Sequence, residues 1–211
     1  MSDVSDPIFA RIAARYDLVN RILSLGREKR WRARGIAMLE PGTVLDLGCG
    51  TGTTDFAHRA VVGLDPVIEM LALSPVRDRV VGVGEHLPFR DSCLDGVFSG
   101  FVFRNLDSVD ATLAEIHRVL RPGSSAVVVD LSRPRNRVLR VLHRLGTAIV
   151  LPLVGLVFAA APREYWYLHR SLDSLPPPEA LFQGHGLDVD QVWRMGLFGF
   201  VYGARLRKPR S

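Results

Sequence analysis

The amino-acid sequence predicts an α/β fold: a seven-stranded, mainly parallel sheet that ends in an antiparallel hairpin. Three observations predict it. Short apolar runs alternate with segments of helical period, as in repeated strand–helix–strand units. A glycine-rich turn, Gly48-Cys49-Gly50-Thr51-Gly52, follows the first apolar run directly. The last two apolar runs are joined only by Met195-Gly196-Leu197, a link of hairpin length that turns the chain back on itself.

The elements follow in order. Helical patterns cover 8–15 and 18–39. Strands are expected at 43–47, 61–64, 79–83, 96–100 and 125–131, then at 187–194 and 198–206 for the hairpin. Helices are expected between them at 53–60, 67–73 and 108–120. The last of these opens at Asn105-Leu106-Asp107-Ser108, which offers capping side chains, and stops before Pro122-Gly123. The whole of 1–211 reads as one domain.

Composition narrows the function classes. With 47% hydrophobic and 23% charged residues the chain is globular rather than disordered. Its two cysteines, Cys49 and Cys93, make neither a disulfide framework nor a zinc site, and the six histidines show no metal-ligand spacing. No basic segment followed by an apolar core opens the sequence, so a cytoplasmic protein is expected. The net charge of +5 is almost all arginine, since Lys29 and Lys208 are the only lysines. That balance suits nucleic acid, an anionic membrane or an acidic ligand. An RNA partner is disfavoured because the arginines sit beside an apolar arm rather than among stacking aromatics.

The glycine turn departs from a dinucleotide fingerprint, because Thr53 stands where the third glycine of G-x-G-x-x-G belongs. Asp46, just before it, would repel a pyrophosphate and suits a cation. S-adenosylmethionine carries an ammonium and a sulfonium and no phosphate. Asp65, ending the second strand, can accept from both ribose hydroxyls. Cys49 is expected to fill the loop rather than act as a nucleophile, with no base beside it in sequence. His117 is expected at the surface and His86 in a structural role.

The predicted sheet resembles that of class I S-adenosylmethionine methyltransferases, a Rossmann-like fold. Longer segments carry a closer resemblance: FARIAARYDLVNRILSLGREKRWR (9–32), VLDLGCGTG (44–52), VGLDPVIEML (62–71), EHLPFRDSCLDGVFSGFVFRNL (85–106), EIHRVLRPG (115–123), VVVDLSRP (127–134) and YWYLHRSLDSLPPPEAL (165–181). Together these are similar to the quinone-biosynthesis C-methyltransferases. The resemblance implies methyl transfer from S-adenosylmethionine to a ring carbon of a polyprenylated hydroquinone of the demethylmenaquinol type. It implies cofactor roles for Gly48, Gly50 and Thr51, for Asp65 at the ribose, and for Val83 and Gly84 at the adenine. At the substrate it implies Tyr16, Arg104 and Asn105. Arg104 suits an anion stabiliser, since guanidinium does not deprotonate, Asn105 can bond a ring oxygen, and no general base is evident.

The segment 133–161 forms an arginine-bordered apolar arm, and 133–175 is expected to form a helical substrate lid. Arg133, Arg137, Arg140 and Arg144 recur at helical spacing, and 147–161 carries no charge. Pro152 and Gly155 interrupt a run already short for a membrane span. The arm is expected to cover the sheet as a buried helix, to make peripheral contact with an anionic membrane, or to do each in different parts.

Three features depart from the family pattern. The stretch from Gly52 to Asp65 is short, leaving about eight residues, ~12 Å, for the first helix. With the 70–79 connection also short, apolar sheet is left uncovered, and a homodimer is expected to cover it. Val83 replaces a polar adenine anchor, so weaker cofactor binding is expected, with Gly84 backbone or Glu85 as substitutes. Ser99-Gly100-Phe101-Val102-Phe103 precedes Arg104, which alters the substrate pocket. These departures keep open another lipid or small aromatic substrate, and a degenerate, non-catalytic subunit.

Overall fold

The computed structural model describes residues 21–22, 24–57, 59–154, 156, 170–173 and 175–210. Tyr16, the helical pattern at 8–15 and the middle of the 133–175 arm lie outside the described residues.

Seven strands form one sheet in the order β3-β2-β1-β4-β5-β7-β6. They are β1 Thr43–Leu47, β2 Ala60–Asp65, β3 Asp78–Val81, β4 Leu94–Gly100, β5 Leu120–Leu131, β6 Asp188–Met195 and β7 Val201–Arg207. The first five run parallel, and β7 pairs antiparallel with both β5 and β6. The strand order reverses between β1 and β4, and ligands of open α/β sheets bind outside the carboxyl ends of strands at such a point. Five helices are described: α1 Glu28–Ile36, α2 Ile68–Leu73, α3 Val109–Val119, α4 Arg137–Val154 and α5 Pro178–Leu181.

Side chains alternate across the strands and so build two cores. On one face Leu45, Leu47, Val97, Val128 and Tyr202 pack with Leu113 and Ile116 of α3 and Leu181 of α5. On the other face Val44, Phe98, Val127 and Val129 pack with Trp31 and Ile36 of α1. Gly35 lets α1 lie this close, since a Cβ there would meet Val129, Phe98 and Val127.

Three expected elements differ. The helix at 53–60 does not form among its described residues: 53–56 is irregular and Ala57 is left-handed (φ 56°). Asp55 Oδ1 accepts the Ala57 amide at 2.8 Å, a local turn that competes with helix. Arg59 Nη2 then donates to Leu39 O at 2.9 Å and anchors the entry to β2. Phe56 is buried edge-on against Phe98, with ring centroids 5.7 Å apart, so this segment covers the sheet with one ring instead of a helix. The 18–39 helix is broken where Leu25 and Gly26 turn left-handed and the Gly26 amide reaches back to Arg21 O at 2.8 Å, a glycine-terminated helix end. The second hairpin strand starts at Val201, because Leu197–Gly199 forms a 3-10 turn with Phe198 left-handed.

The expected thin cover on the cofactor half is visible. Ile68 and Leu73 of α2 and Val81 of β3, the edge strand, are all more than half exposed.

Candidate active site

The site lies along the carboxyl ends of β1, β2, β4 and β5. Two amides, Gly48 N and Cys49 N, donate to Leu64 O at 2.7 and 3.0 Å and tie the glycine turn to the end of β2. Gly48 is left-handed (φ 69°), and a Cβ there would run into the Val102 side chain. The missing side chain thus brings the segment after β4 against the turn. Thr51 is buried in the same turn.

Asp65 braces the turn from below. Its Oδ2 accepts the Gly50 amide at 2.8 Å and its Oδ1 the Val67 amide at 2.9 Å. A carboxylate has about four lone-pair sites, so one group can accept several such bonds.

Asp46 is the unusual group. It is fully buried at the end of β1, and neither carboxylate oxygen accepts a hydrogen bond among the described residues. Burial pushes its carboxyl up to about 7, opposed by the charge of Arg32 and reinforced by that of Asp65. Arg32 does not close the gap: its Nη1 donates to Thr54 Oγ1 at 2.9 Å, and its guanidinium lies 5.1 Å from the Phe101 ring centre. An orphaned acid beside a glycine turn suits a ligand that brings a cation. Burial, with Asp46 and Asp65 adding to it, pushes the Cys49 thiol far above its ordinary range, so it stays a thiol and fills space.

The expected adenine side is plainer. Val83 is exposed and bridged to His86, while Gly84 is buried where a Cβ would meet Thr112. Glu85, the substitute anchor, has its Oε1 committed to the Asp107 and Ser108 amides at 2.9 and 3.1 Å, at the start of α3. Ser108 Oγ accepts the Ala111 amide at 3.1 Å, the cap the sequence predicted. His86 is exposed, and His117 lies half-buried where a Cβ on Gly186 would touch it.

β4 ends in a 3-10 turn, Phe103–Asn105, that carries Arg104 and Asn105. Arg104 Nη1 donates to Asp130 Oδ1 at 2.5 Å and to Phe101 O at 3.0 Å. Asp130, at the end of β5, also accepts the Leu131 amide at 2.7 Å on the same oxygen. Among the described residues, Arg104 Nε, Asp130 Oδ2, Asn105 Oδ1 and the Tyr202 hydroxyl have no hydrogen-bond partner. Burial, with Asp130 adding to it, holds the Tyr202 hydroxyl well above its ordinary pKa. Phe101, just before the turn, is left-handed (φ 69°), a strained backbone of the kind that clusters at functional sites. Sequence reasoning missed Asp130. Its one signal was an acid closing an otherwise apolar strand, Val127-Val128-Val129-Asp130.

α4 leaves the end of β5. Val138, Val141, Leu142, Leu145, Ile149 and Leu153 face solvent along one stripe, each more than half exposed. The opposite face carries Leu151, buried, and His143, whose ring lies 5.4 Å from that of Phe200. Arg137, Arg140 and Arg144 border the stripe, but Arg133 precedes the helix and pairs with Asp173 at 2.8 Å. Leu197 and Phe198, at the tip between β6 and β7, add exposed apolar surface at the same end of the sheet. No helix among the described residues is long and apolar enough to cross a membrane, and none of their His, Cys, Asp and Glu groups is arranged to hold a metal ion.

The family model for the ubiE/COQ5 methyltransferases matches residues 2–189. The chain belongs to that family. It is a methyltransferase, and it is similar to members from several bacteria. A demethylmenaquinone methyltransferase of Roseiflexus sp. is 36% identical over 83% of this chain and 80% of that protein. A Thermus thermophilus protein of the same name is 36% identical over 82% and 87%. A ubiquinone/menaquinone biosynthesis C-methyltransferase UbiE of Rubrivivax gelatinosus is 35% identical over 80% and 72%. Among solved structures, a putative methyltransferase bound to the Haloferax volcanii Trm112 activator superposes with a TM-score of 0.66 at 20% identity, over 98% of this chain and all of that one. A Thermotoga maritima S-adenosylmethionine-dependent methyltransferase gives 0.66 at 18% identity, over 96% and 99%. At these identities the structures establish the fold, the seven-stranded class I methyltransferase sheet.

Proposed function

We propose that this family member uses S-adenosylmethionine to methylate a ring carbon of a polyprenylated hydroquinone of the demethylmenaquinol type. The names of its relatives support the substrate. The single structural observation that carries the cofactor is Asp46, a buried acid with both oxygens unpartnered among the described residues beside the glycine turn. S-adenosylmethionine, when bound, supplies an electrophilic methyl group on a sulfonium. Asp46 would hold its ammonium, Gly48, Gly50 and Thr51 would let its flat body approach, and Asp65 would meet the ribose. Val83 and Gly84 would border the adenine without a polar side-chain anchor.

On the substrate side Arg104 would face the charge that develops on the ring oxygen, and Asn105 Oδ1, unpartnered among the described residues, would take a ring hydroxyl. Tyr16 would close the pocket. The 133–175 arm would serve as a lid: α4 would lie on an anionic bilayer through its apolar stripe, with Arg137, Arg140 and Arg144 at the headgroups, and admit the isoprenoid tail. A second copy of the chain would cover Ile68, Leu73 and Val81. The test of the reaction is incubation with demethylmenaquinol and methyl-labelled cofactor. Label in the ring methyl, reduced on the order of 100-fold by Arg104→Ala, is expected; no label in the quinol would refute it.

Val83 and the commitment of Glu85 to α3 leave the adenine without a polar side-chain anchor, so weak binding of S-adenosylmethionine is expected by calorimetry.

A further inference from the structure

A quinol ring carbon becomes a strong nucleophile only as its neighbouring hydroxyl gives up a proton, and the sequence showed no group to take it. We propose that Asp130 is that proton acceptor: Oδ2 takes the quinol hydroxyl proton while Oδ1 holds Arg104 in place. The assignment rests on the quinol substrate proposed above.

The geometry favours Asp130 over the other candidates. Cys49 is kept as a thiol. His143 is stacked on Phe200, His86 is exposed and His117 lies against Gly186. Asp46 shares the sheet face of Val44, whereas Asp130 shares that of Val128, so the two acids stand on opposite faces. The cation-seeking acid and the proton-accepting acid are thereby kept apart.

Asp130 is fully buried, one residue from the end of β5, and directly opposite Tyr202 on β7. Its Oδ1 is saturated by Arg104 and the Leu131 amide, yet Oδ2 has no partner among the described residues. The Tyr202 hydroxyl and Arg104 Nε are orphaned in the same way. Buried polar groups are nearly always satisfied, so three orphans around one ion pair point to a polar ligand that completes them. A ring hydroxyl has the donor that Oδ2 lacks.

Charge beside Arg104 stays balanced through the proton transfer. Before reaction, carboxylate balances guanidinium. As the hydroxyl O–H bond breaks, the proton bonds to Oδ2 and the oxygen's electron pair enters the ring, so the developing quinolate replaces the carboxylate as the anion beside Arg104. The adjacent ring carbon bonds to the methyl carbon, and the methyl–sulfur bond breaks with its pair left on sulfur. The ring carbon then loses its own proton to water, the ring oxygen regains its electron pair, and Asp130 returns the held proton to it. Arg104 stands without an anion only between methyl transfer, which neutralises the ring, and loss of the ring proton, which restores the quinolate beside it.

The test compares wild type with Asp130→Asn, which keeps an oxygen for Arg104 but cannot take a proton, and with Asp130→Glu. Each is assayed on demethylmenaquinol and on an analogue whose ring carries an electron-withdrawing chlorine and ionises more readily. For Asp130→Asn, a loss of about 100-fold or more in kcat is expected on demethylmenaquinol, with cofactor affinity unchanged. On the chlorinated quinol the loss should shrink by about tenfold, a rescue that a purely structural defect would not give. Asp130→Glu should bind cofactor normally and keep part of the rate, and it carries the same comparison if the Asn variant does not fold. An Asn variant within about threefold of wild type, or losses equal on both quinols, overturns the role. A wild type inactive on both quinols overturns the substrate and the acceptor together, whereas an active wild type with an unimpaired variant overturns the acceptor alone.

Discussion

Replacing Asp46 with Asn should stabilise the ligand-free protein, and more so as the pH rises. The Asp46 carboxyl titrates near 3.8 when unfolded and is raised to about 7 by burial in the folded chain. Between these values the folded state binds the extra proton, so wild-type stability falls as pH rises and levels off above the folded value. Each unit is worth about 1.4 kcal/mol, so the full cost of ionising Asp46 in place is roughly 4 kcal/mol. Asn has nearly the same shape and never ionises. Its advantage should be small near pH 4, about 2 kcal/mol near pH 5 and about 4 kcal/mol near pH 8. The difference between the two proteins isolates this group from Asp95, Glu115 and Glu179, whose carboxyls are held below their ordinary range and act in the opposite direction. Urea unfolding of both proteins at about pH 5 and pH 8 measures it. An Asn advantage that is flat or shrinks with rising pH would refute the account. The same variant should bind S-adenosylmethionine more weakly, because it lacks the charge that meets the ammonium; stability gained and affinity lost together mark an acid kept for a ligand.

Three further outcomes follow from the structure. Ser108→Ala removes the hydroxyl that accepts the Ala111 amide and should cost about 1 kcal/mol in urea unfolding. Leu145→Asp with Ile149→Asp should leave thermal stability nearly unchanged, because both side chains already face solvent, while abolishing co-sedimentation with anionic vesicles at low salt; binding that survives would remove α4 as the lipid contact. Val83→Asp restores a polar anchor on an exposed position and should tighten cofactor binding several-fold by calorimetry.

The strands were legible because their apolar runs are short and punctuated. The boundaries of β1 match their expectation, and β2 is longer only by Ala60 and Asp65. The helix expected at 53–60 was not legible. Nothing in the local pattern says that Asp55 will turn onto Ala57, that Arg59 will reach back to Leu39, or that Phe56 will be drawn into the sheet. Long-range contacts of that kind override a weak local propensity. The break at Leu25-Gly26 was carried by a glycine that the longer helical pattern concealed. At the site, the glycine turn and its two acids stood in order along the chain. Arg104 was also visible, but its partner lies 26 residues away on a neighbouring strand, and only folding brings them to 2.5 Å. Asp130 read as the end of a strand because a strand pattern records burial and not what a buried side chain meets.

β7 follows β6 in the chain yet lies between it and β5. During synthesis β5 therefore waits with one whole edge of backbone donors and acceptors open until β7 emerges. At ordinary elongation rates that wait lasts on the order of ten seconds. The waiting edge runs through Ala126-Val127-Val128-Val129, a sequence well suited to pairing with any extended strand nearby. The half-made sheet is thus an aggregation-prone state, and translational pauses between β5 and β7 would lengthen its life.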